Sequence, residues 1–574
     1  MGQRFYSRIK VSGPNGTWVD SQTGGPGGGR KKAVENGRVE GDTVTWSTPE
    51  VSITRTVYEA GTHLEVVDQF VNRTDRLVGV MVQDTTHGES APQGAYLCGG
   101  DITGVGDRQK YDPGNPSVYA SYGSGGLGVV EVNDTLRAQG KIGLYQATGM
   151  SLLDDCLGIV PGGSQTLEWS LYPTPSDDYW AFVNLVRSDW NVKTTINGPI
   201  SWEPGGWETN EKSSPKDQSF YGQWATERGL LYVGNVITHF DDGSIADGTA
   251  LPLAVKGLSA TKSWMGKVQA ATPTAKSLIY FHAQACSEPG AETKYSDSMK
   301  FDANGQEVTY PSALLANKQR LPLFLPTLDD SYGLALLATL NNLVTSPEIG
   351  GIYWDEMSGS FPENSKSGVA FGNVWDESTV QIDLATHQVV RKEVNVPLVT
   401  QHFEEKAVGV IRSAGKALLA NTEPYTKTMM DLHIERFVEG AGKNIPSSQL
   451  GVPFVLANMR YEQTPAEAME DAVSILNQGA VFCAWRELWT PPATDFYRLM
   501  FPITPVDIRP GIITGEERIL TSKSGDYGFK DGSPAQVYVF DASANAVASN
   551  NQASGNNVYR VSVPTGGMAI LVKQ

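Results

Sequence analysis

Basic residues are in deficit: 45 Lys+Arg face 63 Asp+Glu over 574 residues, a net charge of −18. Phosphate backbones are bound through Lys and Arg, so nucleic acid is excluded as the expected partner. Long apolar runs are missing too. No stretch approaches the roughly 20 consecutive apolar residues of a membrane helix, and no membrane partner is expected. The opening MGQRFYSRIK lacks the apolar core of a signal peptide, so localisation stays open, a secreted or periplasmic one included. The four cysteines, Cys98, Cys156, Cys286 and Cys483, are too scattered for a disulfide framework or a zinc motif; a Cys98–Cys156 bridge is the one pairing left open. No Gly-x-Gly-x-x-Gly turn follows a strand, no P-loop is present, and no Gly-x-Ser-x-Gly elbow leads from strand to helix. Nothing suggests an organic cofactor, and none is expected.

What is present is enough apolar sequence, 40 %, to fill several cores, with 61 Gly and 32 Pro for turns. Residues 1–175 alternate in the period-two manner of half-buried strands, as in Val51–Val57 and His63–Phe70, and predict an antiparallel β-sandwich. Residues 176–195 read as a linker helix, with Phe182, Val183 and Val186 on one face. Over 196–510 short apolar strands alternate with helical stretches, the pattern of a (β/α)₈ barrel. Strands are expected at 199–203, 230–239, 277–282, 351–356, 417–423, 452–458 and 480–487, with an eighth near Phe501 to Val506. An apolar stripe of Leu334, Leu337, Leu340 and Val344 marks one helix, and the capping box Thr464-Pro-Ala-Glu467 starts another. Residues 511–574 return to strand-like sequence and predict a small C-terminal β-sandwich. The fold class is therefore multidomain, α/β plus all-β.

In such a barrel the residues at strand C-termini converge on one open face. Here they are rich in acids, imidazoles and aromatics: Trp202, Glu203, His239, His282, Tyr353, Trp354, Asp355, Glu356, Glu423, Trp485, Arg486 and Glu487, with Arg460 nearby. Glycosidic cleavage needs one carboxylic acid to protonate the leaving oxygen and a second carboxylate to attack or to activate water. Flat aromatic side chains suit the apolar faces of sugars, while carboxylates, His and Arg suit their hydroxyls. Asp355, Glu356, Glu423 and Glu487 are therefore the candidate catalytic carboxylates, and the others candidate substrate contacts for a carbohydrate. Adjacent acids on a regular strand point to opposite faces, so one of Asp355 and Glu356 is expected in the mouth. Each acid also has a structural alternative as an ion-pair partner or helix cap. Trp375-Asp376 is expected to reach over the mouth as part of a lid. Two rival readings are a carbohydrate-binding protein without chemistry and a metal-dependent hydrolase using His239, His282 and Asp355; a metal site is not expected, because metal-ligand spacing is missing.

The domain order and the string Gly351-Ile-Tyr-Trp-Asp-Glu-Met357 resemble TIM-barrel glycoside hydrolases with an N-terminal β-sandwich and a C-terminal β-domain, a poorly characterised bacterial family. That resemblance implies a glycosidase acting on a poly- or oligosaccharide. Carried over from the large clan of retaining glycosidases, it implies Glu356 as acid/base and Glu487, at the seventh expected strand, as nucleophile, with Asp355 in the place of the usual Asn. Carried over from the α-glucosidase and α-galactosidase type, it implies Asp355 as nucleophile and an acid after strand six, where Asn458, Arg460 and Glu462 stand. The sugar, the anomer, the stereochemistry and the oligomeric state stay open.

Overall fold

The computed structural model describes residues 5–12, 18–20, 42–88, 90–102, 108–145, 149–202, 218–234, 237–239, 245–247, 265–266, 269–286, 288–310, 321–357, 359, 368–439, 445–456, 464–484, 495–548 and 553–574. Two antiparallel sheets of six and eight strands form the N-terminal sandwich. Val80, Val82 and Leu152 of one sheet and Ile53, Phe70 and Val129 of the other share one apolar core. The period-two pattern thus does what it predicts: alternate residues are buried between sheets. Cys98 and Cys156 are both free.

The linker helix, Tyr179–Asp189, starts where the Asp178 side chain accepts from the Trp180 backbone N–H. It buries Phe182, Val183 and Val186. Its Arg187, almost fully buried, donates to the carbonyls of Gln449, Leu450 and Pro505, joining the helix to the barrel and to the C-terminal domain.

Eight strands follow in one parallel sheet: β1 (Ile200–Trp202), β2 (Tyr232–Gly234), β3 (Lys276–His282), β4 (Gly351–Asp355), β5 (Ala417–Asn421), β6 (Glu435–Glu439), β7 (Phe454–Leu456) and β8 (Val481–Cys483). The seam between β8 and β1 is bridged by one hydroxyl. Tyr497 Oη donates to Ile200 O at 2.9 Å and accepts from Ala484 N at 3.2 Å. The barrel interior is aromatic, with Trp202 edge-on to both Tyr353 and Phe437.

Strand numbering departs from the sequence reading in one consequential way. Glu435–Glu439 is the sixth strand, which moves Val452–Asn458 to the seventh place and Ala480–Glu487 to the eighth. Phe501–Val506 is not a barrel strand. Pro505–Arg509 pairs antiparallel with Ile512–Gly515 in the five-stranded C-terminal sheet. The sixth strand escapes the pattern because its two ends are charged and its apolar run is only Phe437-Val438; Glu435, Phe437 and Glu439 alternate on the inner face of the barrel wall.

The helix Ser331–Val344 buries Tyr332, Leu336, Leu340 and Leu343, whereas Leu334 is 55 % exposed, so the buried stripe is rotated from the expected one. The helix Pro465–Leu476 carries both halves of its capping box. The hairpin of Val380–Ile382 and Val389–Lys392 packs on Met81 and Leu77 of the sandwich together with Trp375. Asp376 Oδ1 accepts from the backbone and hydroxyls of Ser378 and Thr379. The Trp375-Asp376 segment is therefore a strut between domains and not a lid.

Candidate active site

The C-terminal ends of β3 to β6 bring together Tyr280, His282, Tyr353, Asp355, Glu356, Asn421 and Glu439. Asp355 accepts three hydrogen bonds. Tyr280 Oη donates to Oδ2 at 2.7 Å, and Tyr353 Oη (3.0 Å) and Asn421 Nδ2 (2.7 Å) donate to Oδ1. These bonds favour the carboxylate, yet burial and the neighbouring Glu356 charge outweigh them, and the group is held above the ordinary carboxylate range.

Asn421 Nδ2 also donates to Glu439 Oε1 at 2.8 Å. Burial first, then Asp355 and Glu356, push Glu439 up to about 8. Glu439 is the functional candidate that sequence reasoning missed. The signal that could have found it is the alternation Glu435-x-Phe437-x-Glu439, which a search for apolar runs passes over.

Glu356 lies just beyond β4 with φ +47, a left-handed conformation that a Glu side chain adopts at a cost of about 1–3 kcal/mol. The turn breaks the strand alternation. Glu356 meets His282, which ends β3 on the same face as Tyr280, so both acids lie in the mouth where a regular strand would contribute one. Thr422, just beyond β5, has φ +91 and is a second distorted strand end. Glu356 accepts from Tyr310 Oη at 3.2 Å and contacts His282 Nε2 at 3.1 Å. His282 Nδ1 accepts from the backbone N–H groups of Gln284 (3.1 Å) and Ala285 (3.0 Å). Those two bonds fix the tautomer: the proton is on Nε2, which donates to Glu356. Behind them lies buried Lys300, 1 % exposed, donating to Gln284 Oε1 at 3.2 Å. Burial pushes its ammonium down to about 7, against the attraction of Glu356.

The remaining sequence candidates divide as follows. Glu423 is buried against the N-terminal sandwich, where a Cβ on Gly114 would stand 2.9 Å from the Glu423 Cβ. Burial and Asp112 push it up to about 7. Trp202 and Tyr353 are buried in the barrel interior, beneath the carboxylates. Trp354 alternates outward, fully buried against Phe281 and Phe403 between strand and helix, and so is a core residue and no sugar platform. His239 ends a short strand, Ile237–His239, that pairs with Ile245–Asp247 and stands outside the barrel sheet. Glu203, Arg460, Trp485, Arg486 and Glu487 lie outside the described residues. Among the described residues, no three His, Cys, Asp or Glu side chains are grouped as metal ligands.

No protein-family profile matches the sequence. No curated protein matches it either. Solved structures do. An α-galactosidase from Lactobacillus brevis superposes with a TM-score of 0.52 at 10 % identity, over 91 % of this chain and 80 % of that one. The GH36 α-galactosidase AgaA from Geobacillus stearothermophilus gives 0.50 at 11 % identity, over 91 % and 81 %. A variant of the latter, in complex with stachyose, gives 0.50 at 10 % identity over the same shares. The likeness spans 91 % of this chain, and the fold is shared with these multidomain TIM-barrel enzymes.

Proposed function

We propose that this protein is a retaining glycoside hydrolase in which Asp355 is the nucleophile and Glu439 the general acid/base. One observation carries the reading: Asp355 Oδ1 and Glu439 Oε1 accept from the same Asn421 nitrogen, at 2.7 and 2.8 Å. The separation of those two oxygens cannot exceed the two bonds placed end to end, about 5.5 Å, the upper edge of the about 5–5.5 Å spacing of retaining enzymes and short of the about 6.5–9.5 Å of inverting ones.

The roles follow from the surroundings. Glu439, held up to about 8, carries a proton at neutral pH and can give it to the leaving oxygen. Asp355, with three donors on its carboxylate, attacks the anomeric carbon as the bond to that oxygen breaks, giving a glycosyl ester. Water then attacks the same anomeric carbon, its proton passes to the Glu439 carboxylate, and the bond from that carbon to Asp355 breaks, releasing the carboxylate. Glu356, oriented by His282 and Tyr310, is left to bind a sugar hydroxyl. The solved neighbours include enzymes named as α-galactosidases, so α-galactosides and α-glucosides head the substrate panel.

The test is hydrolysis across that panel by Asp355→Asn and Glu439→Gln. Each should lose at least about a hundredfold on natural glycosides. On a dinitrophenyl glycoside, whose leaving group needs no proton, Glu439→Gln should keep its first-step rate while Asp355→Asn should not. Wild-type rates in both variants on a cleaved substrate would overturn the assignment. Glycan retention with no cleavage at any pH would identify a carbohydrate-binding protein instead.

A further inference from the structure

The opposite end of the barrel holds a cavity of about 400 Å³. Four of the residues around it are the first residues of their strands: Tyr232 of β2, Lys276 of β3, Ala417 of β5 and Glu435 of β6. It therefore opens at the N-terminal face, away from the carboxylates, and its size suits a small ligand.

Its charge runs against that of the chain. Lys193, Lys276, Arg412 and Lys416 surround it, with Glu435 as the single acid, in a protein of net charge −18. Two of these cations are committed to the protein in part. Lys416 Nζ donates to the carbonyls of Ser346 and Ile349, and Arg412 Nη2 to those of Leu432 and His433, leaving the other guanidinium hydrogens uncommitted. Lys193 and Lys276 are exposed and make no side-chain hydrogen bond or ion pair among the described residues. The acid opposing them is tied down. Glu435 accepts from Asn197 N (2.9 Å), Asn197 Nδ2 (2.8 Å) and Tyr232 Oη (2.7 Å).

We propose that this cavity is a second binding site, for a small ligand bearing a phosphate or sulfate group, held by Lys193, Lys276 and the uncommitted hydrogens of Arg412. Charge-assisted bonds to a tetrahedral oxyanion are what such a set of converging donors provides. The site shares no residue with the carboxylate pair, so it stands or falls independently of the hydrolytic reading.

The test is calorimetric titration of the full chain with sodium phosphate, sodium sulfate and glucose 6-phosphate, at low ionic strength, where such contacts are least screened. Binding that weakens with added salt is expected. Glucose 6-phosphate binding at least about fivefold tighter than phosphate would assign a phosphorylated sugar, and equal affinities the free oxyanion. The double variant Lys193→Gln/Lys276→Gln should bind at least about tenfold more weakly. Thr194→Glu, which sets a carboxylate on the rim without removing a cation, should do the same. Absence of binding by all three probes up to about 10 mM, or wild-type affinity in both variants, would overturn the proposal.

Discussion

Asp355 and Glu439 are bound to one another through a single nitrogen, the Asn421 Nδ2 that donates to both. Each hydrogen of the amide serves one acid, so the side chain sets their spacing as well as their charge. Asn421→Ala should lower kcat/KM by about a hundredfold or more while circular dichroism stays native, by analogy with removal of a preorganised donor. Asn421→Asp, which adds a third carboxyl where two already repel, should lose more. Rates within about twofold of wild type in both variants would show that the pair is not the reacting one.

The pH dependence of activity follows from Glu439. An acid held up to about 8 keeps its proton through neutrality and loses it above. The kcat/KM profile should fall as pH rises past about 8, and Glu439→Gln should remove that limb. A profile whose alkaline limb is the same in the variant would assign the proton to another group.

Stability should also depend on pH, in the acid-favouring sense. Burial pushes Asp84 and Asp154 up to about 7 and Glu404 up to about 8. Each binds a proton when folded that its unfolded form, in the ordinary carboxylate range, has already released. The folded state thus holds more protons than the unfolded one between about pH 4.5 and 8, and stability is lost as pH rises through that window. The thermal midpoint should be higher at about pH 5.5 than at about pH 8.5. Glu404→Gln, which keeps an acceptor for Thr400 Oγ1, should flatten the dependence.

Arg187 ties three parts of the chain by donating to Gln449 O, Leu450 O and Pro505 O from a buried position. Arg187→Met fills similar volume but leaves those carbonyls without these donors. A loss of about 3 kcal/mol is expected, read as a lower denaturation midpoint. An unchanged midpoint would mean that the linker helix is held by its apolar face alone.

The architecture was legible because it rests on local pattern. The alternation at Val51–Val57, the stripe of Phe182, Val183 and Val186, and the capping box at Thr464 each report burial or hydrogen bonding of the segment that carries them. The string ending in Asp355 and Glu356 was legible for a similar reason: two acids closing an apolar strand have no place in a core. Trp354 misled because a strand buried on both faces shows no alternation, and only the packing of Phe281 and Phe403 reveals its direction.

By itself, then, the sequence determined the barrel between two β-domains and the strand end where its acids gather. The tertiary structure decided which acids form a pair. Glu439 lies 84 positions beyond Asp355, on a strand whose short apolar run hides it, and neither residue carries a local mark of the other. What joins them is barrel closure: β4 pairs with β5 and β5 with β6, where Asn421 pairs with Phe437 and Glu439 is the next residue on the same face, within reach of the Asn421 amide. That register is fixed by contacts distant in sequence, so the pair exists only in the folded chain.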